Sequence, residues 1–326
     1  FKNWFSAALK YFLWRRNLLK GDVISITCRD GAKEDIPIGL FGPIINAYFY
    51  GVIKEFSCIR KSVVAWYGSE IPLEELLASS AWVYALRFGW RYDIAGRYWF
   101  KGDVKFKHMY GPILEVFEYG EYKNLDVDNK IVVDVGAFVG DSSIYFVLRG
   151  AKKVIAVEPI PVNYLEMVEN IRLNNMENRI IPVNAALGSE LGSVKIRLVE
   201  PHMDYFRNTL LENLITKNSK DKYVYIPKIT LGSIINRFNI DTENSILKMD
   251  CEGCEFEVII KDFKHVKLFN EIYFEYHTCY TGIPVNKLLT LLKKNYKCKV
   301  ISTEDFHKRH GLSKEQLGLV YCKKLA

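Results

Sequence analysis

Ile131-Val132-Val133-Asp134-Val135-Gly136-Ala137-Phe138-Val139-Gly140-Asp141 runs an apolar strand into a glycine turn and then into the start of a helix. Gly136 lets the backbone turn tightly, and Gly140 removes a side chain where helix and ligand approach each other. A second strand, Val154 to Val157, ends in Glu158 and Pro159. Glu158 lies about 20 residues beyond the turn, where a carboxylate accepts two hydrogen bonds from ribose hydroxyls. Strand, turn and acid together imply an adenosine-containing ligand. The dinucleotide form Gly-x-Gly-x-x-Gly is absent, and Asp134 sets a carboxylate beside the turn. That charge repels a pyrophosphate but suits the cationic amino-acid end of S-adenosyl-L-methionine, directly or through water, so this is the expected cofactor.

Outward from this junction, apolar strands and helices alternate, the mark of a parallel α/β sheet. Strands are predicted at Ile131–Val135, Val154–Val157, Arg179–Val183, Ser245–Met249, Glu271–Tyr276, Tyr296–Ile301 and Gly318–Cys322. Helices are predicted at Asp141–Arg149, Pro161–Asn174, Glu255–Lys261 and Val285–Lys294. The last two strands have no predicted helix between them and are expected to form an antiparallel hairpin at the sheet edge. This favours a methyltransferase sheet over the all-parallel dehydrogenase sheet. The polar stretch Glu200–Lys222 reads as an insertion loop near the active site.

The chain divides into an N-terminal helix (1–20), an α+β region that is a candidate for acceptor binding (21–112) and the cofactor domain (113–326). Residues 1–20 carry Phe1, Trp4, Phe5, Ala8 and Phe12 on one stripe, which predicts an amphipathic helix docked on the protein, or else one lying on a membrane or partner. Strands are predicted near Val23–Thr27 and Val63–Tyr67, and helices near Ile44–Lys54 and Pro72–Phe88. Arg87 to Trp99 is dense in arginine and aromatic residues, which suits sugar stacking and core packing equally.

With 49% hydrophobic and 25% charged residues in a chain of 326, composition excludes disorder and permits a large core. A net charge of +7 favours anionic partners without choosing among them, and no basic run is long enough to read as a nucleic-acid tail. The seven cysteines, odd in number and scattered, argue against a disulfide framework and for a reducing compartment. No apolar run reaches transmembrane length, so a cytoplasmic protein is expected. The single glutamine, Gln316, suggests a thermophilic source.

Several segments together resemble the FkbM family of methyltransferases: Val132 to Gly136, Gly140-Asp141-Ser142, Val157-Glu158-Pro159, Asn184-Ala185-Ala186-Leu187-Gly188, and Leu247-Lys248-Met249-Asp250-Cys251-Glu252-Gly253-Cys254-Glu255. The resemblance covers about Glu115 to Cys322. Three positions depart from it, with Phe138 where the family commonly has Asn, and Cys251 and Cys254 in place of small or apolar residues. The resemblance implies a Rossmann-like class I methyltransferase, with cofactor contacts at Asp134, Gly136, Ala137, Gly140, Asp141, Ser142, Glu158, Pro159, Asn184 and Ala185. It also implies O-methylation of a hydroxyl on a glycan, glycolipid or related small molecule.

Ligand crevices in open α/β sheets lie beyond the carboxyl ends of the strands. Asp250 and Glu252 follow the fourth strand, and Glu275 and His277 end the fifth, so all four are candidate catalytic residues. Methyl transfer depends on an in-line approach, and a hydroxyl acceptor also needs a base. His277 is the best base by type, with Asp250 next. Glu252 suits catalysis or capping of the helix near Gly253 equally. No metal is expected, because these acids come with a single nearby histidine and no recognisable ligand spacing, and Cys251 and Cys254 lack a second pair. The rival readings are an RNA methyltransferase using Cys251 or Cys279 as nucleophile, disfavoured because neither follows a proline, and a non-catalytic binding module anchored through residues 1–20.

Overall fold

The computed structural model describes residues 1–198 and 222–325, so most of the predicted insertion loop, 200–221, lies outside the described residues. The chain forms two compact units, Phe1–Glu121 and Tyr122–Ala326.

The second unit is built on a seven-stranded sheet. Its strands are β1 (Ile131–Val135), β2 (Lys153–Val157), β3 (Ile180–Val183), β4 (Ser245–Met249), β5 (Glu271–His277), β6 (Tyr296–Val300) and β7 (Leu317–Lys324). They lie in the order β3-β2-β1-β4-β5-β7-β6. The pairs from β3 to β5 are all parallel, whereas β7 is antiparallel to both β5 and β6. The last two strands form the expected antiparallel pair at the sheet edge, with β6 outermost; the one correction is that a helix, Glu304–His310, lies between them. That helix is short and polar, and its start is marked by Thr303, whose side chain accepts the Phe306 N–H.

β1 and β4 are buried along almost their whole length because helices cover a parallel sheet on both faces, which demands near-continuous apolar residues. The flanking helices are α1 (Asp141–Leu148), α2 (Pro161–Leu173), α3 (Leu231–Phe238), α4 (Cys254–Lys261) and α5 (Val285–Leu292). Val133, Val157, Leu247 and Phe274 from the strands share one core with Phe256 of α4 and Leu288 of α5. A separate three-stranded sheet, with Lys222–Ile229 between Ala186–Leu187 and Gly192–Leu198, and helix α3 itself were not foreseen from the sequence.

Strand register sets the position of the site. Val135 pairs with both Val157 and Met249, and Met249 pairs with Phe274. The next residues on these four strands, Gly136, Glu158, Asp250 and Glu275, therefore share one rim. The chain order reverses between β1 and β4, so a crevice opens there.

In the first unit, the helix Trp4–Arg15 turns Ala7 inward and sets Tyr11 against Phe41, while Trp4, Phe5 and Phe12 are exposed. The expected stripe is thus split: Phe1 packs on Phe41 and Phe56, while Trp4, Phe5 and Phe12 face solvent. The predicted helix Pro72–Phe88 is two short helices, Leu73–Leu76 and Trp82–Arg87. The aromatic segment serves the core, since Trp90, Tyr92 and Trp99 are buried and the Trp99 indole donates to Glu75 at 2.6 Å.

Six of the seven cysteines form disulfides, Cys28–Cys58, Cys251–Cys254 and Cys298–Cys322, leaving Cys279 free. This corrects the expectation of unpaired thiols and removes the argument for a reducing compartment, because disulfides persist in oxidising surroundings. No helix among the described residues is long and apolar enough to cross a membrane.

One polar tie crosses the middle of the sheet. Lys248 Nζ on β4 lies 2.9 Å from Asp134 Oδ1 on β1, and both side chains are almost completely buried. Burial opposes the lysine's charge, but Asp134 and then Asp250 outweigh it and hold its pKa above the ordinary value. Lys248→Met is expected to lower the unfolding free energy by about 3–5 kcal/mol, because Asp134 is left charged and uncompensated. Urea unfolding measures this, and a loss below about 1 kcal/mol would show a pair no stronger than a surface bridge.

Candidate functional site

Gly136 turns with φ +74°, and a Cβ placed there would stand 1.7 Å from the Asp250 carbonyl oxygen. The glycine turn and the loop after β4 are therefore in backbone contact. The Gly136 and Ala137 amides both donate to the Val157 carbonyl, at 2.9 and 3.1 Å. Phe138, the departure from the family's Asn, adopts φ +47°, and its amide donates to Glu158 Oε2 at 3.0 Å. The other Glu158 oxygen accepts the Ile160 amide at 2.8 Å. Burial pushes the Glu158 carboxyl up to about 8, against the lowering effect of the Ile160 and Phe138 amides.

Three expected cofactor contacts are corrected. Asp134 is 0% exposed: one oxygen pairs with Lys248, and the other accepts the Ser142 and Ser143 hydroxyls at 2.7 and 2.6 Å. The Ser142 hydroxyl is spent in the same contact. The Asn184 amide donates to the Glu158 and Pro159 carbonyls at 2.9 and 3.1 Å, so its side chain braces the acid's backbone. Ala185 is buried beside it. Gly140 (φ +86°) is the N-cap of α1, and Asp141 follows as the first helical residue. Asp141 is buried, and its Oδ1 has no hydrogen-bond partner among the described residues. Burial raises its pKa to about 7, opposed by Lys248.

The four candidate catalytic residues do converge. Glu275 and His277 are two apart on β5 and so share a face of the sheet. His277 Nε2 lies 3.5 Å from Glu252 Oε2, 3.6 Å from Glu275 Oε1 and 3.9 Å from Asp250 Oδ1. Its other nitrogen, Nδ1, meets Glu255 Oε1 at 3.2 Å, and that same oxygen accepts the His277 amide at 2.9 Å. The imidazole stacks on Tyr280 with an interplanar angle of 7°. Burial works against a proton on His277, but Glu252, Glu255 and Glu275 outweigh it and lift the pKa well above 6.5. His277, the expected base, thus sits among acids that favour its protonated form. Glu252 is raised to about 7, chiefly by burial, with His277 opposing.

Glu255 is the residue that sequence reasoning missed at this edge. Its second oxygen accepts the Gly253 amide at 3.0 Å, so the capping role considered for Glu252 falls to Glu255. The signal was an acid in the first turn of α4. The cysteine-nucleophile reading loses both candidates. Cys251 is disulfide-bonded, and burial, opposed by His277, raises the Cys279 pKa above its ordinary value, away from thiolate.

The family model described as Methyltransferase FkbM domain matches residues 134–298. Among solved structures, methyltransferase FkbM of Methylobacillus flagellatus KT is similar at 14% identity and TM-score 0.40 over 64% of this chain, and the match spans 47% of that protein, under half its length. TYW2 of P. horikoshii, in complex with MeSAdo, is similar at 17% identity and TM-score 0.39 over 75% of this chain and 81% of that one. TrmK of M. capricolum, in complex with S-adenosyl-homocysteine, is similar at 13% identity and TM-score 0.35 over 64% and 68% of the two chains. No curated protein matches the chain.

The two glycines of the turn differ in what surrounds them. A Cβ on Gly140 meets the Met167 side chain at 3.1 Å, which can give way, whereas one on Gly136 meets backbone. Both Gly→Ala variants carry about 1–2 kcal/mol of left-handed strain, and Gly136→Ala is expected to lose about 1–3 kcal/mol more. Chemical denaturation of the two variants checks the difference. Equal losses would mean that the Asp250 carbonyl yields freely.

Proposed function

The chain belongs to the FkbM family of methyltransferases, as its motifs imply, and on that premise we propose that it methylates a hydroxyl of a sugar, glycolipid or related small molecule, with S-adenosyl-L-methionine as donor. The observation that carries the cofactor assignment is the buried Asp141 carboxyl beside the glycine turn, whose Oδ1 has no hydrogen-bond partner among the described residues. A ligand ammonium would donate the missing bond and favour the ionised acid. Glu158 fits the ribose: Oε1 accepts the Ile160 and Asn163 amides, while Oε2 accepts only the Phe138 amide and keeps a further lone pair for a hydroxyl. The bare Gly136 turn lets backbone approach the ligand.

When bound, S-adenosyl-L-methionine supplies a sulfonium methyl group whose C–S bond breaks as the acceptor's O–C bond forms. The chain's own residues orient the acceptor and take its proton. Asp250 and Glu252, each with a side chain 32% exposed, are the carboxylates that an acceptor can reach, whereas Glu275 is buried and Glu255 wholly so. The hydroxyl proton passes to this partly buried pair. His277 stands within 4 Å of these acids and belongs to the same cluster. An acid-rich edge whose one free thiol is held in its protonated form favours a hydroxyl acceptor over base methylation through a cysteine.

Incubation with methyl-labelled cofactor and cell extract, followed by fractionation, tests the acceptor class. Label in glycan or glycolipid is expected, and label confined to RNA overturns the reading. Cofactor binding tests the ribose site. Glu158 is protonated at pH 7 and ionises as the pH rises through about 8. Binding that uses the carboxylate is therefore expected to tighten by up to about tenfold between pH 7 and 9. Glu158→Gln is expected to bind more weakly and without that pH dependence, and calorimetry showing wild-type affinity in the variant would remove Glu158 from the site.

A further inference from the structure

We propose that Asp250, Glu275 and His277 bind a divalent cation of the hard-to-borderline class, with Mn²⁺ the best match, and that this ion polarises the acceptor hydroxyl. Only the ion's role rests on the methyl-transfer reading; its binding does not.

The ligand atoms of these three residues all lie within 4.8 Å of one another, with Glu275 and His277 buried. Sequence spacing hides the group, because Asp250 comes from the loop after β4 and the other two from β5. Nε2 of His277 stands 3.6 Å from Glu275 and 3.9 Å from Asp250. Those separations are too long for hydrogen bonds. They fall within the range spanned by two ligands on one ion, which at about 2.1 Å from the metal stand about 3.0 Å apart when adjacent and 4.2 Å when opposite.

A second observation concerns how the imidazole is aimed. Glu255 engages Nδ1 and also accepts the His277 amide, and Tyr280 stacks on the ring. Metal-bound histidines are held in this way, with a carboxylate on the far nitrogen fixing tautomer and orientation. The orientation points Nε2 into the acidic group, within 3.9 Å of Glu252, Glu275 and Asp250.

Charge points the same way. Four carboxylates, Asp250, Glu252, Glu255 and Glu275, stand within 4 Å of one imidazole. Two carboxylates and one imidazole favour Mn²⁺-type ions over thiolate-seeking metals, and the nearby Cys251 and Cys254 are bonded to each other. Three protein ligands leave coordination positions for a hydroxyl, and Glu252, at 3.5 Å from Nε2 and half-exposed, stands ready to take the proton released by that hydroxyl.

Chelator-treated full chain is titrated with Mn²⁺ alone, following the loss of the free-ion electron paramagnetic resonance signal. One equivalent is expected to bind. Glu255→Gln, which alters the support of both the imidazole and the Gly253 amide, is expected to weaken binding by about 10- to 100-fold, and Asp250→Ala and Glu275→Ala by more. Circular dichroism checks the fold of each variant; if Glu275→Ala does not fold, Asp250→Ala, on a half-exposed loop, decides. Folded wild type that binds no Mn²⁺ at millimolar concentration, or an Asp250→Ala protein that binds as wild type does, overturns the site. S-adenosylhomocysteine is titrated into the same metal-free protein. If it binds where Mn²⁺ does not, the ion site fails and the methyl-transfer reading stands; if only Mn²⁺ binds, the ion site stands and the cofactor reading fails.

Discussion

The buried pair between Lys248 and Asp134 organises the whole carboxyl rim of the sheet. Lys248 reaches from β4 across to β1 and also donates to the Gly136 carbonyl at 3.0 Å, while the Asp134 carboxylate gathers the first-turn hydroxyls of α1. Two strands, the glycine turn and a helix N-terminus are thus tied at one point. A buried ion pair gains little net free energy over a well-packed apolar pair, since desolvation cancels much of the attraction. Its consequence here is geometric: only one arrangement of the turn satisfies every donor that meets Asp134.

That arrangement brings the two halves of the site into contact. With Gly136 against the Asp250 carbonyl, the turn expected to hold the cofactor and the loop that presents the acids cannot move independently. Strand register does the rest, since Glu158 and Glu275 come to the same rim without any dedicated loop. Acids collected there are partly desolvated, and burial is the first cause of the raised pKa of Asp141, Glu158 and Glu252. Such shifts in a cleft mark a site prepared for charged or proton-transferring ligands.

The elements that were legible in the sequence are those whose residues are buried on both faces. β1 and β4 have the expected ends because every position along them except Ser245 is apolar or held in the central ion pair. Helix α3 escaped notice although Thr230 and Ser233 form a capping box at its start, because its apolar stripe is only two turns long. The N-terminal helix carries aromatic residues on several faces, so periodicity alone does not choose which face docks. Asp134 was read toward the ligand because its true partner, Lys248, lies on a neighbouring strand far along the chain. Such pairings, like the three disulfides, belong to tertiary structure and leave no local pattern.

The loop after β4 shows how such a hidden contact shapes chemistry. Glu252 and Gly253 both adopt left-handed conformations, φ +56° and +113°. For a residue with a side chain this costs on the order of 1–3 kcal/mol and persists only when its surroundings enforce it. Here the enforcement is explicit: the Cys251–Cys254 disulfide closes the loop, and the Gly253 amide is fixed to Glu255. Glu255 in turn grips His277 through its other oxygen. The two cysteines that depart from the family pattern therefore lie one residue from Asp250 and one contact from the imidazole. Their bond fixes the backbone on which the acid Glu252 is presented, and through Glu255 it constrains the direction in which the histidine points.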